Sequence, residues 1–354
     1  MRGAIKLFKV NDISINVHIT FLLLLLFFMY SGIKALFLTL GVFCFVTLHE
    51  LCHSLVAQKF GIKVKEITLL PIGGVASMAK MPEKPSEEFL ISIAGPLLNI
   101  AVVIIFYLPL RLLLGPETLH SFFRQGPSVS TWGLVIVYIY WINLMLALFN
   151  LIPAFPMDGG RILRSILAGP MGYQKATRIA VNFGHVFALI FGYFGFLRLN
   201  LILIAISVFI YMAASSEELQ VDIRLTLKKF RIKDIISPQF IKLARDATLS
   251  KILELIFHSH QEDFPIVENG QMVGFVTRND IINGIHQHGT SAPVSLIMKE
   301  NSPVLHETDS LDKAQNMMQE NNMKAIPVTR QDSVIGVVTI EDITRVYSVM
   351  TQRR

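Results

Sequence analysis

The sequence is poor in charge. Only 16% of its 354 residues are charged, whereas 52% are hydrophobic and the mean hydropathy is +0.53. Such an apolar composition is far from that of a soluble enzyme of this length. The apolar residues concentrate between residues 13 and 216, while residues 217–354 carry charge at the density of a globular protein. The composition therefore predicts a membrane domain followed by a soluble domain.

Cysteine is also scarce, and Cys44 and Cys52 are the two that the chain contains. On one helix they would lie about 12 Å apart, too far for a disulfide. The net charge is +6, but no basic arm or stripe is present, so we expect no nucleic-acid partner and attribute the basic residues to membrane topology. The first apolar segment lacks a small-residue cleavage site after it and is predicted to be a membrane helix, not a signal peptide.

Six apolar stretches approach the length of about 20 residues that a helix needs to cross a bilayer. They cover residues 13–30, 35–58, 89–114, 132–151, 176–197 and 199–216. One side of this arrangement receives most of the basic residues, namely Arg2, Lys6, Lys9, Lys59, Lys63, Lys65, Lys80, Lys84, Arg161, Arg164, Lys175 and Arg178, and the other receives Lys34, Arg111, Arg124 and Arg198. Since short cytoplasmic loops are rich in Lys and Arg, we expect a multi-pass protein of the cell membrane with both termini in the cytosol.

Residues 66–79 are apolar but too short to span a bilayer, and they contain Pro71, Gly73 and Gly74, which disfavour a spanning helix. We expect a re-entrant hairpin or a membrane-edge β segment there. Non-helical backbone is tolerated at membrane depth only where protein or a water-filled cavity satisfies it. The segment is therefore predicted to border a functional site.

The soluble part contains an internal repeat. Residues 263–281 align with residues 325–343 at an offset of 62, and each copy is predicted to run helix, strand, turn, strand, helix. Neither copy alone would bury a large core, so the two are expected to pack together. The predicted domains are 1–216 for the six-span membrane domain, 217–230 for a linker and 231–354 for a cytosolic α/β tandem domain.

The strongest chemical signal is the sequence His49-Glu50-Leu51-Cys52-His53. A spacing of four puts both imidazoles on one face of a helix, where they can bind one zinc ion, and Glu50 can act as general base toward water. The motif also follows a long apolar run from residue 35. Ionisable groups within a membrane helix are costly and indicate function.

A catalytic zinc keeps three protein ligands, so a third is needed. The best candidate is Asp158, within the proline- and glycine-rich sequence NLIPAFPMDGGR at residues 150–161. Two prolines and two glycines break the helix there and can aim a carboxylate inward. The alternative is that Asp158 is only a turn residue before Gly159 and Gly160.

Taken together, HELCH at 49–53, AGPLLN at 94–99 and NLIPAFPMDGGR at 150–161 resemble the site-2 protease family of intramembrane zinc metalloproteases. The C-terminal repeats resemble a pair of CBS domains, so the likeness is to the CBS-containing subgroup and favours its archaeal six-helix members. The resemblance implies that His49, His53 and Asp158 ligate one zinc per chain. It also implies that Glu50 activates water and then protonates the leaving amine.

The same resemblance implies that Asn150 helps to hold the substrate or the oxyanion, although an asparagine near a helix end is often only a cap. Asn99 and Gly95 are interpreted mainly as helix-packing residues. A transmembrane substrate must unwind before hydrolysis, and we expect the unwound stretch to add as a strand to the segment that contains Gly73 and Gly74.

In the CBS pair, Thr277 and Asp280 of the first copy and Thr339 and Asp342 of the second resemble the positions that hold the ribose and phosphates of an adenine nucleotide. A Thr-x-x-Asp sequence at a helix start is equally an N-cap arrangement. ATP and AMP are not distinguished, and a homodimer through the CBS domains is left open.

Two other functions compete with an intramembrane protease. One is a CBS-regulated transporter, which predicts charges along several spans, and the other is a membrane zincin that cleaves soluble peptides at the cytosolic face. The remaining histidines complete no predicted metal site: His258, His260, His286 and His288 are interpreted as surface residues, and His18 and His185 as packing residues within spans.

Overall fold

The computed structural model describes residues 3–78, 82, 84–124, 130–236, 240–259, 261–330 and 333–351. Arg2, Lys80 and His260, which entered the predictions above, lie outside the described residues. The chain divides into two compact units, Met1–Val221 and Asp222–Arg354.

The first unit begins with two strands and a short helix. Strands β1 (Ala4–Val10) and β2 (Ile13–His18) pair antiparallel, and helix α1 (Ile19–Tyr30) has 12 residues. At 1.5 Å per residue α1 is about 18 Å long, against a hydrocarbon core of roughly 30 Å. The prediction of one spanning helix over residues 13–30 was therefore wrong, because β2 pairs with a strand on each side and is buried among them.

The four-stranded sheet has the order β1-β2-β3-β4. Strand β3 (Val64–Leu70) runs parallel to β2, and β4 (Gly73–Met78) forms an antiparallel hairpin with β3. Gly73 begins β4 with a φ of 139°, a conformation that side chains rarely adopt. The described part of residues 66–79 therefore forms a hairpin, with β4 at one edge of the sheet.

Seven further helices follow β2 in the first unit. They are α2 (Ile33–Lys59), α3 (Pro85–Leu114), α4 (Pro116–Arg124), α5 (Trp132–Asn150), α6 (Asp158–Met171), α7 (Tyr173–Leu197) and α8 (Leu201–Lys229). Within the described residues, five of these helices (α2, α3, α5, α7 and α8) are long and apolar enough to cross a membrane. Six spans were expected, and the difference is the short α1.

Helix α8 is continuous across the predicted linker. Residues 217–229 form its last turns, and the two compact units meet between Val221 and Asp222, inside the helix. The last turns begin with Glu217 and Glu218 and end with Lys228 and Lys229, so they carry charge after an apolar span. The change from apolar to charged composition therefore does not mark the end of the helix.

A buried ion network ties three helices of the first unit together. Arg164 of α6 is 2% exposed, and its Nε lies 2.9 Å from Glu88 Oε1 of α3 while its Nη1 lies 2.7 Å from Glu217 Oε1 of α8. The guanidinium also lies 4.7 Å from the ring centroids of Phe155 and Tyr173. Because a buried cation requires such partners, Arg164 fixes α6 against α3.

The second unit has two similar halves. The first contains α9 (Leu249–His258), β5 (Phe264–Glu268), β6 (Gln271–Val276) and α10 (Arg278–His288), and the second contains β7 (Leu305–His306), α11 (Leu311–Asn321), β8 (Ala325–Arg330), β9 (Ser333–Thr339) and α12 (Ile340–Thr351). Both show the predicted helix, strand, turn, strand, helix order. Each half has its own buried cluster, and Phe275 of β6 packs with Ala325 and Val337 of the other half.

Candidate metal centre

Two histidines of α2 face the interior of the first unit. His49 and His53 are 3% and 5% exposed, and their spacing of four places them on the same side of the helix. Their Nε2 atoms lie 3.1 Å apart. The sequence prediction that both imidazoles point at one place is thus met by the geometry.

The third member of the cluster is Asp158, the first residue of α6. A loop leads from α5 to Asp158. Gly159 and Gly160, which follow Asp158, allow the start of α6 to approach that loop closely. A Cβ on Gly160 would lie 2.6 Å from the backbone of Ala154, and one on Gly159 would overlap the carbonyl oxygen of Ile152. The Gly-Gly pair therefore lets α6 begin tightly against its own loop and brings the Asp158 carboxylate to the histidines.

One carboxylate oxygen and two imidazole nitrogens form a nearly equilateral triangle. Asp158 Oδ2 lies 3.1 Å from His49 Nε2 and 3.1 Å from His53 Nε2. A tetrahedral ion with ligand distances of about 2.0–2.1 Å has ligands roughly 3.3 Å apart, close to the observed edges. Within the described residues, this is the only group of three or more His, Cys, Asp or Glu side chains that could hold a metal ion.

The outer nitrogens of the two imidazoles meet oxygens of α3. His53 Nδ1 lies 2.6 Å from the backbone oxygen of Ile91, and His49 Nδ1 lies 3.1 Å from Asn99 Oδ1. If Nδ1 donates in both bonds, each neutral imidazole presents an Nε2 lone pair to the centre of the triangle. Two lone pairs and a carboxylate oxygen at 3.1 Å need a cation between them, so the donor set fits a divalent metal.

Gly95 makes room for this arrangement. It lies on α3 between Ile91 and Asn99, at steps of four residues, so that the three share one face. A Cβ at Gly95 would lie 2.7 Å from His49 Nε2 and would overlap His53 Nε2. Its interpretation as a packing residue is therefore incomplete, because what packs on Gly95 is the pair of imidazoles.

The general-base candidate, Glu50, follows His49 on α2 and packs against strand β4. A Cβ on Gly74 of β4 would lie 2.8 Å from Glu50 Cγ and 3.5 Å from Val46 Cγ1. The missing side chain of Gly74 lets the edge strand pack directly on α2 beside Glu50. The predicted base and one of the predicted substrate-binding glycines are thus neighbours.

Asn150 and Asn99 have different surroundings in the structure. Asn150 is the last residue of α5 and donates to the carbonyl of Leu146 at 3.0 Å. Within the described part of the chain, no hydrogen bond joins Asn150 to the cluster. Asn99, which is fully buried, contacts His49 instead. The spacing of four residues between Gly95 and Asn99 indicates that the two share one face of α3. The sequence does not indicate that this face packs against the histidines.

The predicted nucleotide positions form N-caps in both halves of the second unit. Thr277 Oγ1 donates to Asp280 Oδ2 at 2.5 Å, and Thr339 Oγ1 donates to Asp342 Oδ2 at 2.8 Å. Of these two aspartates, Asp280 alone has an ion pair with a described residue, and Lys299 Nζ lies 2.8 Å from it. Burial opposes ionisation of Asp280, but the hydrogen bonds from Lys299 and Thr277 outweigh it and lower its pKa.

Among the described residues of the first unit, His18 and His185 do not join the metal centre. His18 caps α1 and accepts from Thr20 N, whereas His185 Nε2 lies 3.0 Å from Ser215 Oγ and stacks on Tyr211. The interpretation of His18 as part of a span was wrong, because it ends strand β2. Cys44 and Cys52 are free thiols.

Comparison with known proteins matches both units. The model of peptidase family M50 matches residues 37–191, and the CBS domain model matches residues 232–287 and 294–349. A zinc metalloprotease of Methanocaldococcus jannaschii is 36% identical over 356 residues, which cover 99% of this chain and 98% of that protein. The chain belongs to peptidase family M50.

Two further matches cover part of the chain. Stage IV sporulation protein FB of Bacillus subtilis is 29% identical over 171 residues, or 48% of this chain and 54% of that protein. The solved site-2 protease from Methanocaldococcus jannaschii is 42% identical, covers 61% of this chain and 95% of that chain, and superposes with a TM-score of 0.46. The recognition of a site-2 protease with two CBS domains is confirmed, and the M50 protein is a membrane-embedded zinc metalloprotease.

Proposed function

We propose that this M50 protease cleaves transmembrane helices within the bilayer, using a zinc ion held by His49, His53 and Asp158. The observation that carries the proposal is the buried triangle of two imidazole nitrogens and one carboxylate oxygen, with edges of 3.1 Å. Zinc in such a site acts as a Lewis acid toward a carbonyl oxygen and toward water. The first unit would then place peptide hydrolysis among apolar helices.

In this proposal Glu50 moves the protons. It follows His49 in sequence, so that its carboxylate stands beside the metal ligands and beside strand β4. It takes a proton from the attacking water and returns it to the amine that leaves the cleaved peptide bond. Asn150, at the end of α5, is proposed to orient the substrate carbonyl or to stabilise the oxyanion, which requires its amide to leave the Leu146 carbonyl.

The substrate is proposed to add to the free edge of β4. An unwound transmembrane segment loses its helical hydrogen bonds, and an added strand replaces them. Gly73 and Gly74 are the residues of β4 nearest the turn, and Gly74 lies against Glu50. A strand paired with β4 would therefore pass the proposed base.

The decisive experiment compares wild type with Glu50→Gln during co-expression with a tagged single-span substrate. We expect cleavage to be lost in Glu50→Gln while stoichiometric zinc is retained. Loss of zinc in His49→Ala and Asp158→Ala would accompany loss of cleavage. Purified wild type without zinc would refute the metal site, cleavage of soluble peptides alone would favour a membrane zincin, and zinc-dependent ion flux without proteolysis would favour a transporter.

A proline scan tests the substrate edge. In an antiparallel pair, alternate residues of β4 direct their N–H groups toward β3 and away from it. Of the variants Gly74→Pro and Val75→Pro, one should lose a hydrogen bond to β3, and the other should lose an N–H group at the free edge. The two variants should therefore differ in folding and in cleavage. The variant that keeps the fold and zinc should lose cleavage, and full cleavage by every folded, zinc-loaded proline variant of β4 would contradict the proposal.

For the CBS pair we propose binding of an adenine nucleotide, with Thr277, Asp280, Thr339 and Asp342 near the ribose and phosphates. The sequence match to CBS domains supports it. Titration of the full-length protein with ATP and with AMP, followed by thermal shift, tests it. Asp342→Ala should abolish the shift if this carboxylate binds ribose, whereas a shift unchanged in Asp280→Ala and Asp342→Ala would exclude both sites.

A homodimer through the CBS pair predicts a doubled mass in detergent after subtraction of the micelle.

We also propose that both termini lie in the cytosol. The distribution of Lys and Arg supports this orientation. It requires an even number of crossings, so the chain must also cross the bilayer at the short helix α1, in addition to the five long helices. Labelling of single cysteines placed at Lys9 and at Arg345, in a variant without Cys44 and Cys52, tests it. Labelling of either position from outside intact cells would contradict it.

A further inference from the structure

The two imidazoles of the metal centre have unequal supports. His53 Nδ1 meets the backbone carbonyl of Ile91 at 2.6 Å, and a carbonyl oxygen can only accept. That contact alone determines that the proton of His53 lies on Nδ1. His49 Nδ1 instead meets the side-chain amide of Asn99 at 3.1 Å.

An asparagine amide can present either its oxygen or its nitrogen to a neighbour. With the oxygen toward His49, Nδ1 carries the proton and Nε2 offers its lone pair to the metal. With the nitrogen toward His49, Nδ1 must accept, and the proton moves to Nε2, where it blocks metal binding. The metal site therefore depends on something that fixes the orientation of the Asn99 amide.

Asn143 of α5 is a direct neighbour of Asn99. It is 2% exposed, and its Nδ2 donates to the backbone oxygen of Asn99 at 3.0 Å. Within the described residues, two buried atoms of this pair have no hydrogen-bond partner, namely the donor Asn99 Nδ2 and the acceptor Asn143 Oδ1. Buried polar atoms are nearly always paired, and these two are complementary.

We propose that Asn99 and Asn143 are positioning residues: Asn143 Oδ1 accepts from Asn99 Nδ2, directly or through one water, and so keeps the Asn99 oxygen on His49 Nδ1–H. His49 Nε2 is then held unprotonated toward the metal. Neither asparagine touches the substrate, and both act through His49. The inference rests on the proposed metal site and adds α5 to the helices on which metal binding depends.

The test uses full-length protein in detergent and measures zinc affinity by competition with a chromophoric chelator. Asn99→Leu should weaken zinc binding by about 10–100-fold, the usual cost of losing an outer-shell partner. Asn99→Asp should keep near-wild-type affinity, because either carboxylate oxygen accepts from Nδ1–H. The visible spectrum of the cobalt-substituted protein should change in Asn99→Leu and stay close to wild type in Asn99→Asp.

A double-mutant cycle separates orientation from packing. Asn143→Leu should weaken zinc binding by about 10-fold in the wild-type background and have no effect in the Asn99→Asp background, where there is no amide left to orient. Thr177→Val, which removes a buried hydroxyl of α7 that bonds Tyr173 O at 2.8 Å, is the control and should leave affinity unchanged. An equal effect of Asn143→Leu in both backgrounds would overturn the inference, as would wild-type affinity in Asn99→Leu. If wild type itself bound no zinc, the proposed function would fail instead.

Discussion

Replacing Gly95 with alanine should separate metal binding from folding. Inside a helix, alanine is ordinarily more stable than glycine by about 0.5–1 kcal/mol. At Gly95, however, the new Cβ would lie 2.7 Å from both Cε1 and Nε2 of His49. Ordinary contact needs about 3.5 Å, and the Cβ would also overlap His53 Nε2, so the imidazoles or α3 must move by roughly 0.8–1.1 Å.

That displacement is large for a metal site. Ligand distances are tolerated within about 0.2 Å, and an error near 1 Å in a positioned group costs on the order of 100-fold. We therefore expect Gly95→Ala to weaken zinc binding by about 100-fold and to lose proteolysis to the same degree. Zinc affinity is measured by chelator competition, and folding is followed by size-exclusion chromatography and thermal unfolding in detergent.

Gly169 provides the matched control. It also lies inside a helix, α6, but a Cβ there would meet nothing within 4 Å. Gly169→Ala should therefore bind zinc as wild type does, with a small loss of stability because a Cβ on the residue before Pro170 disfavours helical backbone. Wild-type zinc affinity in a folded Gly95→Ala protein would refute the claim that the imidazoles pack on this glycine.

Three further predictions concern other parts of the chain. Arg164→Leu should destabilise the protein by about 3–5 kcal/mol, because it leaves Glu88 buried without its cation; an unchanged thermal midpoint in detergent would contradict this. Burial raises the pKa of Asp263 above 3.8, so its charge costs stability at neutral pH. Asp263→Asn should therefore slow hydrogen exchange in the first half of the CBS pair. The gain in stability should be full at pH values above the raised pKa and absent below pH 3.8. A gain that did not depend on pH would exclude this cause. Thr277→Val removes the cap of α10 and should cost about 1 kcal/mol, seen as faster exchange of the first α10 amides only.

The pair of histidines could be predicted because its signal is local. His49 and His53 lie four residues apart on one helix, and that spacing alone fixes their common direction. Asp158 was predicted from the need for a third ligand and from the prolines and glycines around it. The contact of Asn99 with His49 was not predicted, since it depends on which face α3 turns toward α2, and no pattern within α3 carries that information.

The first apolar stretch shows why hydropathy alone misjudged the span count. A strand can alternate apolar and polar residues, as Ile13, Ile15 and Val17 alternate with Ser14, Asn16 and His18, but an average over a long window does not show that period. Residues 13–18 are such a strand and run directly into α1, so that strand and helix together imitate one span of 18 residues. Pairing between β2 and β3 joins segments some 50 residues apart, a distance over which composition gives no information.

If His49, His53 and Asp158 ligate zinc as proposed, the order in which they are synthesised has a consequence for when the enzyme can become active. His49 and His53 precede Asp158 by 109 and 105 residues. A chain that has emerged only as far as α5 holds two imidazoles but no carboxylate, and two ligands bind zinc weakly. Competent metal uptake must therefore wait until α6 has docked, so an unfinished or truncated chain is inert toward the membrane into which it is being inserted.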